Sequence, residues 1–174
     1  MRPLQQQTDE LDSLGARIES ELRAGKLELP MLPNVAAEVL ASSVDEQTDA
    51  ARLAALIQRD QSLASHVLRI TNSAALRGAT EIVSLQQAIA RLGMVRIREL
   101  AVSVAVRGAL MLRGPYQAAA DEIWRTSLAA GLWAREVARA TRKSVEIAYL
   151  CGLLHRIGAP VVLHRLGELA PALD

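Results

Sequence analysis

Apolar residues recur at spacings of three and four along most of the chain, which is the pattern of helices that bury one face. Apolar and polar residues never alternate for the length of a strand. All six prolines fall between the helical stretches or near the chain ends, where a missing amide hydrogen is tolerated. The sequence therefore predicts an all-α fold, a bundle of several helices.

Capping residues and glycines divide this pattern into separate helices. The first is predicted over about residues 8–24, with a stop at Gly25 and an apolar stripe formed by Leu11, Leu14, Ile18 and Leu22. The prolines within 29–35 predict an extended segment, because each restricts the residue before it. The helices that follow are predicted to begin at the caps Asn34, Thr48, Asp60, Ser84 and Ser144, and two further helices to cover about 94–112 and 116–140.

The two helices in the middle of the chain differ in what they can pack against. From Leu100 to Met111 the chain is apolar on nearly every side, which predicts a position in the centre of the bundle. The helix over 116–140 carries small residues, Gly131 among them, on its predicted buried face, so a neighbouring helix can approach closely. A last helix is predicted to end near Gly167, after the turn at 158–160.

Composition places the chain among globular proteins. Hydrophobic residues make up 51% of it, yet there is no uninterrupted apolar run of membrane-spanning length and no apolar leader at residues 1–7, so we expect a soluble cytoplasmic protein with no membrane segment. Cys151 is the only cysteine, so no internal disulfide can form, and we expect its side chain to be buried in a helix. The net charge of +1 gives no argument for nucleic-acid binding.

The stretch GLLHRIG at 152–158 carries the chemistry, because it sets His155 beside Arg156. Helical metal-dependent phosphohydrolases often use an adjacent His-Asp pair, since a divalent ion needs three or more ligands around one open position. A permanent cation within about 5 Å opposes such an ion by about 1–7 kcal/mol. We therefore expect no metal, no cofactor and no catalysis here, and expect His155 to be a core or pocket histidine bonded to a neighbouring helix.

Five stretches in their order and spacing resemble the HDOD domain, the HD-related output domain of bacterial signalling proteins. They are LPMLPNV at 29–35, RDQSLASHVLRITNSA at 59–74, SLQQAIARLG at 84–93, EIWRTS at 122–127 and GLLHRIG at 152–158. The resemblance implies an N-terminal helix over 1–28, an N-terminal helical lobe over 29–113, and a partial, degenerate lobe like HD phosphohydrolases over 114–174. It also implies a role in signal transduction through contacts with other signalling proteins or domains.

The departures from the catalytic pattern of HD relatives concern three of four expected ligands. Thr126 is the predicted replacement of the first histidine, and Arg156 replaces the paired aspartate. The last aspartate should come well downstream, but only sixteen residues follow Gly158, so we expect either a piece of a longer protein or a short member of the family. Trp124, Thr126, His155 and Arg156 are thus candidates for a degenerate site or pocket. A site rebuilt from His66, Asp121, Glu122, His164 and Glu168 is the weaker hypothesis.

Three residues are candidates for protein contacts. Asn72 and Ser73 form a polar helix end, and Trp133 lies nine residues after Trp124, about 180° around the same helix, so both cannot face one core. A nucleotide or nucleic-acid sensor that uses Arg91, Arg96, Arg98 and Arg156 remains an alternative, although these arginines do not form one stripe and nucleic acid is not the expected partner. A metal-dependent phosphodiesterase is the third hypothesis. The oligomeric state stays open.

Overall fold

The structure is a computed structural model, and it describes residues 4–27, 34–42, 47–76, 78–110 and 115–170. Nine α-helices and no strand occur in these residues, so the all-α prediction is confirmed. Residues 29–33 of the extended segment predicted over 29–35, the end of the helix beyond residue 110 and the break at Gly114 lie outside the described residues. Asn34 and Val35 are helical, so the predicted cap Asn34 is instead the first residue of its helix. The helices are α1 (Leu4–Arg23), α2 (Asn34–Ala41), α3 (Ala50–Gln58), α4 (Gln61–Thr71), α5 (Leu85–Leu92), α6 (Met94–Leu110), α7 (Gln117–Ala140), α8 (Val145–Leu154) and α9 (Gly158–Leu169).

The predicted N-terminal caps are largely where the sequence places them. The side chains of Asp60, Ser84 and Ser144 accept hydrogen bonds from backbone amides in the first turns of α4, α5 and α8. The prediction for α3 was wrong by one residue: Asp49, not Thr48, caps it, accepting from the amide of Arg52 at 2.8 Å. An ionised carboxylate is a stronger acceptor than a hydroxyl, which favours the aspartate.

The core is one continuous cluster centred on α6. Helices α2 to α5 supply its aliphatic side chains, with Val39, Leu53, Ile57 and Val67 fully buried, and α8 adds Tyr149 and Leu153. Val102 and Val106 are 2% and 1% exposed, which confirms the predicted central position of α6. Because α8 contributes to the same core, the C-terminal helices are packed on the rest rather than tethered to it.

Helices α7 and α8 form the most extensive helix pair of the described residues, and glycines allow their close approach. A Cβ atom on Gly152 would lie 2.6 Å from the carbonyl oxygen of Ala130, and one on Gly131 would lie 3.0 Å from that of Tyr149. Side chains at these two positions would push the helices apart. The prediction that small residues on α7 admit a close neighbour is confirmed.

Helix α1 corrects a prediction. Leu11 and Leu22 are 54% and 59% exposed, so the expected apolar stripe is not buried as a whole; Ile18 alone of its members is buried. α1 packs chiefly on α9, where Glu21 accepts hydrogen bonds from Arg165 at 2.6 and 2.7 Å. Over residues 11–23, whose side chains the structure describes, the attachment consists of the buried Ile18 and a bidentate ion pair, which is a smaller interface than the sequence pattern predicts.

One stretch, Val145–Leu169, is long and apolar enough to cross a membrane by length and composition alone. Core helices of soluble proteins pass the same criterion, so this is weak evidence of a membrane crossing. In the structure the stretch is divided into α8 and α9 by the turn at residues 155–157. Tyr149, Leu153 and Pro160 within it are buried against other helices of the chain.

Candidate functional site

His155 lies at the end of α8, immediately after the last helical residue, Leu154. Its side chain is exposed, and Nδ1 lies 2.7 Å from the carbonyl oxygen of Gly152 on the same helix. Because a carbonyl only accepts, Nδ1 donates this hydrogen bond. The expectation of a core or pocket histidine bonded to a neighbouring helix was wrong, because the ring is exposed and its hydrogen bond is to α8 itself.

Arg156 and Thr126, predicted to share one site, do lie together. The guanidinium Nη1 of Arg156 donates to the hydroxyl oxygen of Thr126 at 3.5 Å, a long hydrogen bond between two exposed side chains. The hydroxyl of Thr126 in turn donates to carbonyl oxygens of its own helix, those of Glu122 and Ile123, both at 3.0 Å. The threonine oxygen is thus oriented to accept from a cation.

Beside these residues is a small cleft of about 20 Å³, roughly the space of one water molecule. Trp124, half-buried on α7, lines it together with Arg156 and Asp121. The carboxylate of Asp121 lies 3.9 Å from Arg107, which also lines the cleft. Two arginines and one aspartate surround a space too small for anything larger than a solvent molecule or a single atom.

The residues considered for a rebuilt metal site do not converge. His164 lies 3.7 Å from Glu168, so this pair shares a face as expected, but Glu168 also accepts from Arg165 at 2.7 Å. His66 lies on α4, with Nδ1 bonded to a carbonyl of its own helix. Among the described residues, no three histidine, cysteine, aspartate or glutamate side chains come close enough to hold a metal ion. Cys151 is exposed, which corrects the expectation of a buried thiol.

The candidates for protein contacts differ in their exposure and in their hydrogen bonds. The side-chain amide of Asn72 donates to the carbonyl oxygen of Ile82 at 2.7 Å and accepts from its amide at 2.9 Å, so this residue fixes the α4–α5 connection. Ser73 is exposed. Trp133 is 74% exposed, whereas Trp124 is half-buried, as expected from their opposite directions on α7.

The family model for the HDOD domain matches residues 29–174, which is most of the chain. The chain belongs to the HDOD family. Its α2 to α9 are therefore the HDOD portion, and α1 precedes the matched residues.

Solved structures support the same assignment at the level of the fold. An HDOD domain protein of unknown function from Geobacter sulfurreducens is 27% identical, with a TM-score of 0.67 over 82% of this chain and 48% of that one. A protein from Shewanella amazonensis, named provisionally as a metal-dependent phosphohydrolase, is 26% identical, with a TM-score of 0.65 over 94% of this chain and 61% of that one. A protein from Marinobacter aquaeolei, named provisionally as a signal transduction protein, is 27% identical, with a TM-score of 0.61 over 85% of this chain and 36% of that one.

A curated relative from Treponema pallidum, an uncharacterised protein, is 28% identical over 147 residues. This HDOD chain spans 28% of that relative and between about a third and three fifths of the solved structures that it matches.

The arginines of the sensor hypothesis are dispersed over the HDOD fold. Arg91 donates to Thr80 in the loop before α5, and Arg98 pairs with Glu146 of α8 at 2.7 Å. Arg156 lies at the end of α8 beside α7. Arg96 lies on α6 and makes no ion pair with the described residues. The four guanidinium groups do not form one surface.

Sequence reasoning missed a buried ion pair between the two central helices of this HDOD chain. Arg135 of α7 donates to Glu99 Oε2 of α6 at 2.8 Å, and the two side chains are 9% and 6% exposed. Glu136 also accepts from Arg135. Burial is the largest single effect on the pKa of Arg135 and lowers it, but the hydrogen bonds to Glu99 and Glu136 together outweigh burial, so the pKa is raised. The available signal was a glutamate next to the stretch from Leu100 to Met111 that was predicted to lie in the centre of the bundle, since a buried charge needs a partner.

Proposed function

We propose that this chain is a non-catalytic output or interaction domain of a signalling system, in which the position of the HD metal site is degenerate. The observation that carries the proposal is Arg156. By its resemblance to HD relatives, Arg156 stands where the metal-binding aspartate is expected and Thr126 where the first histidine is expected. The guanidinium of Arg156 lies within hydrogen-bonding distance of Thr126, which supports this interpretation.

The residues at this position do not fit a divalent metal ion. His155 offers one nitrogen on an exposed ring, and Thr126 offers a neutral oxygen that already accepts from a cation. Arg156 cannot lose its proton to relieve the repulsion. An open catalytic site requires about three protein ligands, and no described carboxylate or second imidazole completes the set. We therefore assign no hydrolytic step to this chain.

Two further observations support a role in protein contacts. Trp133 and Val137 lie one helical turn apart on α7 and are 74% and 58% exposed, and exposed aromatic residues are typical of binding hot spots. The Marinobacter relative carries a provisional name as a signal transduction protein. The dispersed arginines offer no comparable support for nucleic-acid binding. We propose other signalling proteins or domains as partners, with the chain acting in the cytoplasm.

Metal analysis tests the first half of the proposal. Purified wild-type protein is incubated with manganese, iron or zinc, desalted and analysed for bound metal and for hydrolysis of bis(p-nitrophenyl) phosphate. We expect no stoichiometric metal and no turnover. The double variant Arg156→Asp/Thr126→His should gain metal, because it removes the cation and adds two ligands. Stoichiometric metal on the wild-type chain that is lost in His155→Ala, accompanied by turnover, would refute the proposal.

Capture of partners by the intact gene product in its native host tests the second half. Trp133→Ala should lose the specific partner, since it removes the largest exposed apolar side chain of α7. Val83→Ala is the matched control, because Val83 is 71% exposed in a loop away from α7. If both variants captured the partner equally well, the surface around Trp133 on α7 would not be the binding site.

A further inference from the structure

A second and much larger cleft, of about 680 Å³, lies between α4, α6 and α7, with Tyr149 of α8 at its base. This volume is typical of sites that bind small molecules. It is distinct from the position of His155 and Arg156, neither of which lines it, although Arg107 and Trp124 line both clefts.

The cleft is elongated. Glu99 pairs with Arg135 at one end and Arg107 approaches Asp121 at the other, so α6 and α7 run antiparallel along it. The residues of α6 that line it extend from Arg96 to Gly108. The helical rise makes the distance from Arg96 to Arg107 about 16 Å. An occupant that fills the cleft is therefore longer than it is wide.

The middle of the cleft is apolar. Tyr149 is 3% exposed, and burial raises the pKa of its hydroxyl to about 12 although Ser103 hydrogen-bonds to it, so the phenol stays neutral. Apolar surface of this kind favours a hydrocarbon body over a polar ligand. The aliphatic side chains that line it are Leu63, Ile70, Leu100, Val104, Leu128 and Leu132.

The charges around the cleft leave an excess of positive charge. Glu99 and Arg135 neutralise each other, and Asp60 is engaged in capping α4, where it accepts from the amide of Leu63. Arg96 and Arg69 line the cleft and make no ion pair with the described residues. Arg96 is also half-buried, close enough to Tyr149 to influence its pKa. A half-buried guanidinium without a counter-ion favours an anionic partner.

We propose that this cleft binds a small amphipathic anion, an extended apolar chain with one anionic head, and that Arg96 binds the head while the body lies along α6 and α7 toward Trp124. Arg107 at the far end has Asp121 as a counter-ion at 3.9 Å, so it is the weaker anion site. Through this site the domain would respond to a small molecule, whether or not a metal ion binds beside His155 and Arg156.

Dodecanoate is the probe, and Trp124 is the reporter. Trp133→Phe leaves Trp124 as the only tryptophan and, because Trp133 is 74% exposed outside the cleft, leaves the cleft intact. In this background dodecanoate, below its micellar concentration, should give a saturable change in fluorescence. Dodecyltrimethylammonium has the same tail and the opposite charge, and should bind at least about tenfold more weakly; acetate, the head alone, should give no change.

Three arginine variants locate the head. Arg96→Gln should weaken dodecanoate binding by about tenfold or more, the effect of losing one charge-assisted hydrogen bond. Arg107→Gln should weaken it by less than about twofold, because its charge is already shared with Asp121. Arg125→Gln, on the exposed side of α7, should have no effect. Circular dichroism verifies that each variant is folded.

Three results would overturn the proposal: no saturable signal with dodecanoate, equal binding of the cationic detergent, or unchanged affinity in Arg96→Gln. The second result would identify a non-specific apolar cleft, and the third would exclude Arg96 as the head-group site.

Discussion

The buried pair of Glu99 and Arg135 gives a strong test of how the C-terminal helices are held on the core. Glu99→Leu removes the partner at 2.8 Å and leaves a guanidinium that is only 9% exposed. Breaking a buried ion pair typically costs about 3–5 kcal/mol. Glu136, 45% exposed, still accepts from Arg135 at 2.9 Å, so we expect about 2–4 kcal/mol of lost stability for Glu99→Leu.

The reverse change should cost more. Arg135→Met leaves Glu99 buried with no cation, and Oε1 of this residue already lacks a hydrogen-bond partner, so we expect about 3–5 kcal/mol. In the double variant no charge remains buried without a partner. We expect it to lose only about 0–2 kcal/mol, less than either single variant, because apolar side chains of similar volume can replace a buried ion pair.

Urea unfolding followed by far-UV circular dichroism measures these changes, with the midpoint and the slope fitted together. Arg139→Met is the matched control, since Arg139 pairs with the same Glu136 but is 60% exposed; we expect less than about 0.5 kcal/mol. Two single variants within about 0.5 kcal/mol of the wild type, or a double variant equal to the sum of the singles, would refute the reasoning.

Three further predictions concern the packing of α7, the α4–α5 connection and α1. Gly152→Ala should lower the free energy of unfolding in urea by about 3 kcal/mol or more, because its Cβ would meet a carbonyl oxygen at 2.6 Å. Gly15→Ala, with nothing within 4 Å, should raise it by about 0.5–1 kcal/mol. Equal effects of the two variants would contradict the close approach of the helices. Asn72→Ala should lose about 1–3 kcal/mol, since two backbone groups lose their partner, and a neutral result would show that water replaces it. Hydrogen bonding to Arg165 lowers the pKa of Glu21 from 4.5 to about 2, so the contribution of Glu21 to stability is complete above pH 4.5 and is lost as the pH falls toward 2. Amide exchange in α1 should therefore accelerate over that range, and more than it does in Glu21→Gln. A rate that does not change with pH would reject the ion pair as the attachment of α1.

The helices could be predicted from the sequence because their signals are local. Capping side chains at Asp60, Ser84 and Ser144 and the glycine after α5 act within one turn, and the structure places them as expected. Thr48 shows the limit, since an adjacent aspartate is the better acceptor. The stripe of α1 was misjudged because periodicity gives the apolar face of a helix but not the area of the surface available to cover it.

The candidate site was less predictable. The sequence could bring Thr126 and Arg156 together through the family resemblance, yet it gave the wrong surroundings to His155 and Cys151, whose exposure depends on which helix, if any, packs over the end of α8. The pairing of Glu99 with Arg135 depends on two helices 36 residues apart, and no local pattern specifies it. The large cleft follows from the relative placement of α4, α6 and α7, a tertiary property.

The two proposed roles of this HDOD chain can fail independently, because the residues that carry them differ. Arg156 and Thr126 line or adjoin the cleft of about 20 Å³, while Arg96 lies about 16 Å along α6 from Arg107 in the cleft of about 680 Å³. Restoring metal ligands with Arg156→Asp/Thr126→His should therefore leave dodecanoate affinity unchanged within about twofold, and Arg96→Gln should leave metal binding in that variant unchanged. A restored metal that altered dodecanoate affinity would show that the two sites are coupled, with Arg107 and Trp124, which line both clefts, as the connecting residues.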